Sequence, residues 1–124
     1  MPTGAVRVRA VRGAICVAED SAEAVLSATA RLLAEVLRRN AVEPADIVSA
    51  FFTATEDLVS AFPAEAARRM GLGAVPLMCA REIPVQGSMP RVVRVLMHFH
   101  TERSQAEVVP VYLEGAESLR DDLG

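Results

Sequence analysis

Tryptophan is absent from these 124 residues, and the aromatic share is only 4%. Any core must therefore be built from Val, Leu, Ala and Met. Cysteine is also scarce: Cys16 and Cys79 stand far apart, with no C-x-x-C or other ligand spacing between them. That leaves two reduced thiols in the cytoplasm as the expectation. No strong charge of either sign is present. The net charge is −3, so there is no general basic footprint for nucleic acid. No run of 18 apolar residues is free of charge, so no membrane span is expected. The start, MPTGAVRVRAVRG, is broken by arginines and carries no apolar signal core. Internal repeats, low-complexity tracts and linkers are lacking too. An apolar fraction of 52% then excludes disorder and implies one domain over residues 1–124, long enough for a real core.

Within that length the pattern alternates between strand and helix periods. Val6 to Val17 reads as a first strand, with Val8, Ala10 and Arg12 on one face and Arg7, Arg9 and Val11 on the other. Asp20-Ser-Ala-Glu23 has the form of a capping box with Asp20 as acceptor. It opens a long helix, Ser21 to Arg39, whose Val25, Leu32, Leu33 and Val36 recur at helical spacing. Arg38 and Arg39 suit the negative end of the helix dipole, and Asn40 suits a left-handed cap. Glu43 to Asp46 is a turn or a single helical turn. Ile47 to Thr55 is a strand apolar on both faces, hence central in its sheet. Pro63 and Gly71 bracket a short helix over Pro63 to Met70. Strands follow at Ala74 to Cys79, Arg91 to Thr101 and Val108 to Glu114, with a loop at Pro84 to Pro90.

The order β-α-β-α-β-β-β predicts an α+β fold: a single mixed five-stranded sheet with one long and one short helix on one face. Two helices leave the other face of five strands without cover in a monomer, which points to oligomerisation.

The chemistry centres on Arg94. In RVVRVLMHFHT its side chain shares a face with Val92, Leu96, His98 and His100. Burying a guanidinium there is costly unless an anion meets it; the alternative is a sheet-edge position where it reaches water. Upstream, Cys79-Ala-Arg-Glu82 sets a thiol and a carboxylate just past an apolar strand. Arg12-Gly13 adds a second cation, at a position where glycine lets backbone or ligand approach closely. Tyr112 is the lone tyrosine, and its hydroxyl needs a partner if buried. Other motifs fail. His98 and His100 form an HxH pair with no accompanying ligands. Gly71-Leu-Gly73 lacks the third glycine of a nucleotide loop, and no Gly-x-Ser-x-Gly elbow occurs.

Several ordered stretches together resemble the monofunctional chorismate mutases of the trimeric, AroH-like type, from about Val8 to Leu123. They are Val11-Arg-Gly-Ala14 with Val17, Thr53-Ala-Thr-Glu-Asp-Leu58, Ala61-Phe-Pro-Ala64, Val75-Pro76, Cys79-Ala-Arg-Glu82, Arg91-Val-Val-Arg-Val95, Val111-Tyr-Leu113 and Leu119-Arg120. The resemblance implies a Claisen rearrangement of chorismate to prephenate, on the way to Phe and Tyr, with no cofactor and no metal. It implies Arg94 at the ether oxygen of the breaking bond and Glu82 at the ring hydroxyl, with Cys79 beside it. Arg12 and Tyr112 would hold the enolpyruvyl carboxylate. Phe62, Ala64, Leu77 and Met78 would line the cavity, and Arg68, Leu119 and Arg120 would help close it. It further implies a cytoplasmic homotrimer forming a pseudo α/β barrel, with each site between subunits.

Two departures stand out against a well-known relative: Glu65 replaces a lysine, and Met78 replaces a small polar residue. An acid at position 65 would repel a dianion unless turned away. Two other readings of the same pocket are an imine or enamine deaminase on a related trimeric scaffold, and a metabolite-binding module without catalysis.

Overall fold

The computed structural model describes residues 4–123, with side chains described as far as Arg120. Along the chain run β1 (Arg7–Cys16), α1 (Ala22–Arg39), β2 (Ile47–Ala54), α2 (Pro63–Ala67), β3 (Leu77–Arg81), β4 (Val92–Thr101) and β5 (Val111–Leu113). This is the expected order, in one five-stranded sheet arranged β3-β2-β4-β1-β5. β4 is the middle strand, antiparallel to β1 and to β2, while β3 and β5 flank them in parallel pairings.

α1 forms because its apolar residues make one stripe: Val25, Ala28, Leu32, Leu33 and Val36 are all buried against the sheet. Its cap differs from expectation. Ser21, not Asp20, caps the helix, its Oγ accepting the Ala24 N–H at 3.1 Å. Asp20 turns outward and accepts the N–H groups of Val59 and Ser60, both at 3.1 Å, tying the helix entry to the segment before α2. At the far end Arg38 and Arg39 each bond Glu35 at 2.8 Å, and the bond from Arg38 does most to hold that carboxyl down at about 2.

Asn40 is not left-handed (φ −108°); Ala41 takes that conformation at φ 52°. Asn40 is instead buried and polar. Its Nδ2 donates to the Val36 carbonyl at 3.0 Å and the Val109 carbonyl at 2.9 Å, and its Oδ1 accepts the Val109 N–H at 2.7 Å. A helix end is thereby bolted to the segment that leads into β5.

The pleat divides each strand between two environments. Val93, Val95, Met97 and Phe99 of β4 join Val11 and Ile15 of β1, Ala50 and Phe52 of β2 and Val111 of β5 in the core beneath the helices. Gly13 faces the same way. A Cβ there would lie 3.1 Å from Leu32 Cδ1 and from the Val111 carbonyl oxygen, so this glycine serves close packing of α1 and β5.

The opposite face stays open across its middle: Val8 (49% exposed), Phe51 (40%), Met78 (60%) and Leu96 (36%) lie on it. One end is covered, which the sequence pattern did not indicate. A 3₁₀ turn over Glu117–Leu123 brings Leu119 and Ala116 onto Ala14, Val92 and Tyr112.

β1, β2 and β4 shift by one residue at one end or both, while β3 and β5 change more. β3 starts at Leu77 rather than Ala74, because the Val75 N–H closes a turn on Leu72 and pairing begins with the Pro76 carbonyl accepting from Ala50. β5 shrinks to three residues. Before it, Gln105–Glu107 forms a capped 3₁₀ turn, and Pro110 has no N–H to offer a ladder. α2 ends at Ala67, followed by a wide turn, Arg68–Leu72, that Gly71 closes at φ 90°.

Asn40→Ala should lower the unfolding free energy by about 1–3 kcal/mol, since it removes the buried Asn40 side chain and leaves the part-buried Val109 N–H without its acceptor. Urea denaturation measures this; an unchanged midpoint would show that the bolt contributes nothing.

Candidate active site

Alternation along β4 directs Arg94 to the open face, and register sets it between Ala14 of β1 and Thr53 of β2. The sheet-edge reading of this arginine therefore fails, since β4 is the middle strand. Its anion is Glu82, with Arg94 Nε 2.7 Å from Glu82 Oε2 and side chains 37% and 18% exposed. Glu82 follows directly on β3, and its own N–H donates to the Ala54 carbonyl at 3.0 Å, so its backbone is as firmly held as a strand residue. Thr53 Oγ1 donates to the same Oε2 at 2.6 Å. Among the described residues Oε1 accepts nothing, and the Nη groups of Arg94 have no partner.

A cleft of about 270 Å³ opens here, lined by Arg12, Phe51, Thr53, Arg94, Leu96 and Tyr112. It shares Arg12, Leu96 and Tyr112 with a second cleft of about 550 Å³ that adds Gln105 and Arg120. Arg12 and Arg120 have no ion pair among the described residues, while Arg94 has one. The pair of clefts thus carries an excess of fixed positive charge, which suits an anion bearing more than one carboxylate. Tyr112 is 9% exposed, and its hydroxyl is buried without a partner among the described residues.

The remaining candidates separate from this group. Cys79 stands opposite Phe52 in the β2–β3 register and packs against the core, so its thiol is on the helix side of the sheet, away from Arg94 and Glu82. The expected adjacency of thiol and carboxylate is not formed. Cys79 instead lines a third cleft of about 380 Å³ with Phe62 and Arg81. Phe62, at the start of α2, is 73% exposed; Ala64 is a core residue, and Leu77 packs partly buried against the core. Met78 lies on the open face opposite Phe51. Leu119 packs with Tyr112. Arg68 is held by Glu65 at 3.0 Å, and Arg69 approaches the same carboxylate at 3.4 Å. Glu65 is thus turned to its own helix and neutralised twice over.

His98 packs edge-to-face with Phe51, and no cluster of three metal-ligating side chains occurs among the described residues. Burial pushes the Cys16 thiol up, with the charge of Glu117 adding to it, so this cysteine is a packing residue beside Met89. Phe51 and Thr53 join the Arg94 cleft without a sequence motif that marks a role for either. Strand alternation puts both on one face, but only the register shows that this face meets Arg94.

Comparison with known proteins gives the family. The family described as chorismate mutase type I matches residues 8–123. Chorismate mutase AroH of Thermus thermophilus is 51% identical over 117 residues, covering 94% of this chain and 96% of that protein. Chorismate mutase AroH of Bacillus subtilis (strain 168) is 38% identical over 117 residues, covering 94% and 92%. A solved chorismate mutase from Clostridium thermocellum has a TM-score of 0.87 at 43% identity, covering 88% of this chain and 97% of that one.

Tyr112→Phe should leave the unliganded fold as stable as before, or more stable by up to about 1 kcal/mol, because a buried hydroxyl without a partner stabilises nothing. Thermal unfolding of the two proteins side by side checks this, and a clear loss of stability would mean the hydroxyl is bonded.

Proposed function

This chain belongs to the type I chorismate mutase family and is a chorismate mutase, and we propose that its site is centred on the Arg94–Glu82 pair and completed by a neighbouring subunit of a homotrimer. It is an isomerase of aromatic amino-acid biosynthesis, rearranging chorismate to prephenate, and the deaminase and binding-module readings give way to that assignment. The reaction is intramolecular. One C–O bond breaks as one C–C bond forms, and no proton changes hands, so neither a nucleophile nor a general base is required. The protein must hold a flexible dianion in a compact conformer and stabilise the oxygen that gains negative charge.

Arg94 suits the second task. Its Nε is committed to Glu82, which leaves the outer Nη edge for the ether oxygen. A fixed cation at a developing oxyanion is worth about 3 kcal/mol by comparison with oxyanion-hole donors. Glu82 Oε1 accepts the ring hydroxyl. Arg12 and the unpartnered Tyr112 hydroxyl hold the enolpyruvyl carboxylate, with Arg120 and Leu119 near the mouth. Phe62, Ala64, Leu77 and Met78 supply apolar wall, Arg68 lies at the rim, and Cys79 belongs to β3, the strand that Glu82 follows. The observation that carries this reading is the position of Arg94: a cation in the middle of a sheet, paired once and otherwise free toward a cleft.

Within one chain the candidates fall into clefts on opposite sides of the sheet, Phe62 and Cys79 in one and Arg94, Arg12 and Tyr112 in the other. A neighbour docked on the open face would bring such groups into one enclosure while covering Phe51, Met78 and Leu96. That supports a trimer with shared sites. Among the described residues no helix is long and apolar enough to cross a membrane and both cysteines are free, which suits a cytoplasmic enzyme.

Arg94→Ala should reduce kcat by about a hundredfold or more, the equivalent of about 3 kcal/mol, without altering thermal unfolding. Loss of chorismate absorbance measures it, and near wild-type turnover would remove Arg94 from the role. Sedimentation should give a trimer; a monodisperse monomer with full activity would refute shared sites.

A further inference from the structure

Thr53 is the residue directly opposite Arg94 on β2, half-buried on the open face. Its hydroxyl and Arg94 Nε converge on one atom, Glu82 Oε2, at 2.6 Å and 2.7 Å. The other carboxylate oxygen takes no bond from the described residues. We propose that Thr53 is a positioning residue of the rearrangement: by occupying Oε2 together with Arg94, it turns Oε1 and the Nη edge of the guanidinium toward the substrate. This rests on the reading of Arg94 and Glu82 as the groups that meet chorismate.

Glutamate reaches the site over three rotatable bonds, and a single contact to Arg94 would let the carboxylate swing. A hydrogen bond from Thr53, at a different angle from the ion pair, removes that freedom. Thr53 is equipped for this because a β-branched side chain in a strand is stiff at χ1. β2 is paired on both sides, to β3 and β4, so the hydroxyl is anchored through two ladders. An O–H···O⁻ bond of this length is among the stronger side-chain contacts. Misplacement of a reacting group by about 1 Å costs about a hundredfold in rate, so loss of the clamp should appear in turnover.

The test compares Thr53→Val, Thr53→Ser and Arg94→Ala in the full-length protein with chorismate. Valine keeps shape and strand preference while deleting the hydroxyl. We expect kcat for Thr53→Val to fall by about ten- to a hundredfold, with KM changed less than about threefold, and unfolding temperature and sedimentation unchanged. Serine, which keeps the hydroxyl, should return kcat to within about threefold of wild type. Wild-type kcat in Thr53→Val alongside an inactive Arg94→Ala would overturn the positioning role and leave the Arg94 reading standing. An active Arg94→Ala would overturn that underlying reading. Failure of serine to restore turnover in a folded protein would assign Thr53 to packing, as would a loss in Thr53→Val that tracks lost stability. Should valine prevent folding, Thr53→Ala carries the same expectations.

Discussion

Arg94 can meet a substrate because the pleat of the middle strand leaves it no other direction to point. Val93, Val95, Met97 and Phe99 are buried under the helices, and turning them out would expose the largest apolar surface in β4. The guanidinium is thus held on the open face by hydrophobic burial on the other. Its pairing with Glu82 is not chiefly a source of stability, because removing two charges from water offsets much of their attraction. The pair gains a fixed geometry, with one carboxylate oxygen and one edge of the guanidinium spent on each other and the rest available.

The stretch Thr53-Ala-Thr-Glu-Asp-Leu58 acquires physical meaning in the same terms. Thr53 holds Glu82. Two residues on, Thr55 Oγ1 accepts the Val92 N–H and donates to Asp57, which in turn accepts the Arg91 N–H. Arg91 has φ 50°, and its Nε donates to the Val17 carbonyl. The end of β2 therefore grips the start of β4 just ahead of Arg94, and it also positions the carboxylate that pairs with it. This run is the clamp between two strands of the site.

Some expectations failed in ways that share a cause. Asp20 and Ser21 both have an acceptor suited to a helix start, and composition alone does not rank them. The distant N–H groups of Val59 and Ser60 claim Asp20. Asn40 follows a helix as caps do, yet Val109 claims its side chain. Cys79 is three residues from Glu82, an odd spacing that sends their side chains to opposite faces of an extended chain, and pairing with β2 puts Cys79 on the helix side. For Asp20 and Asn40 a partner about 40 or more positions away decided between two local options.

The sequence by itself determined the element order, the apolar stripe of α1, the open face implied by two helices on five strands, and the charged and polar residues that mark the chemistry. These are local or compositional properties, and helix period, strand alternation and ordered family stretches report them directly. Only the tertiary structure decided the strand order, the register that sets Thr53 against Arg94, the side of the sheet on which Cys79 lies, and the covering of Tyr112 by the C-terminal turn. Register depends on which distant strands pair and on how their buried faces interlock, and a shift of one residue would exchange the two faces without changing any local pattern.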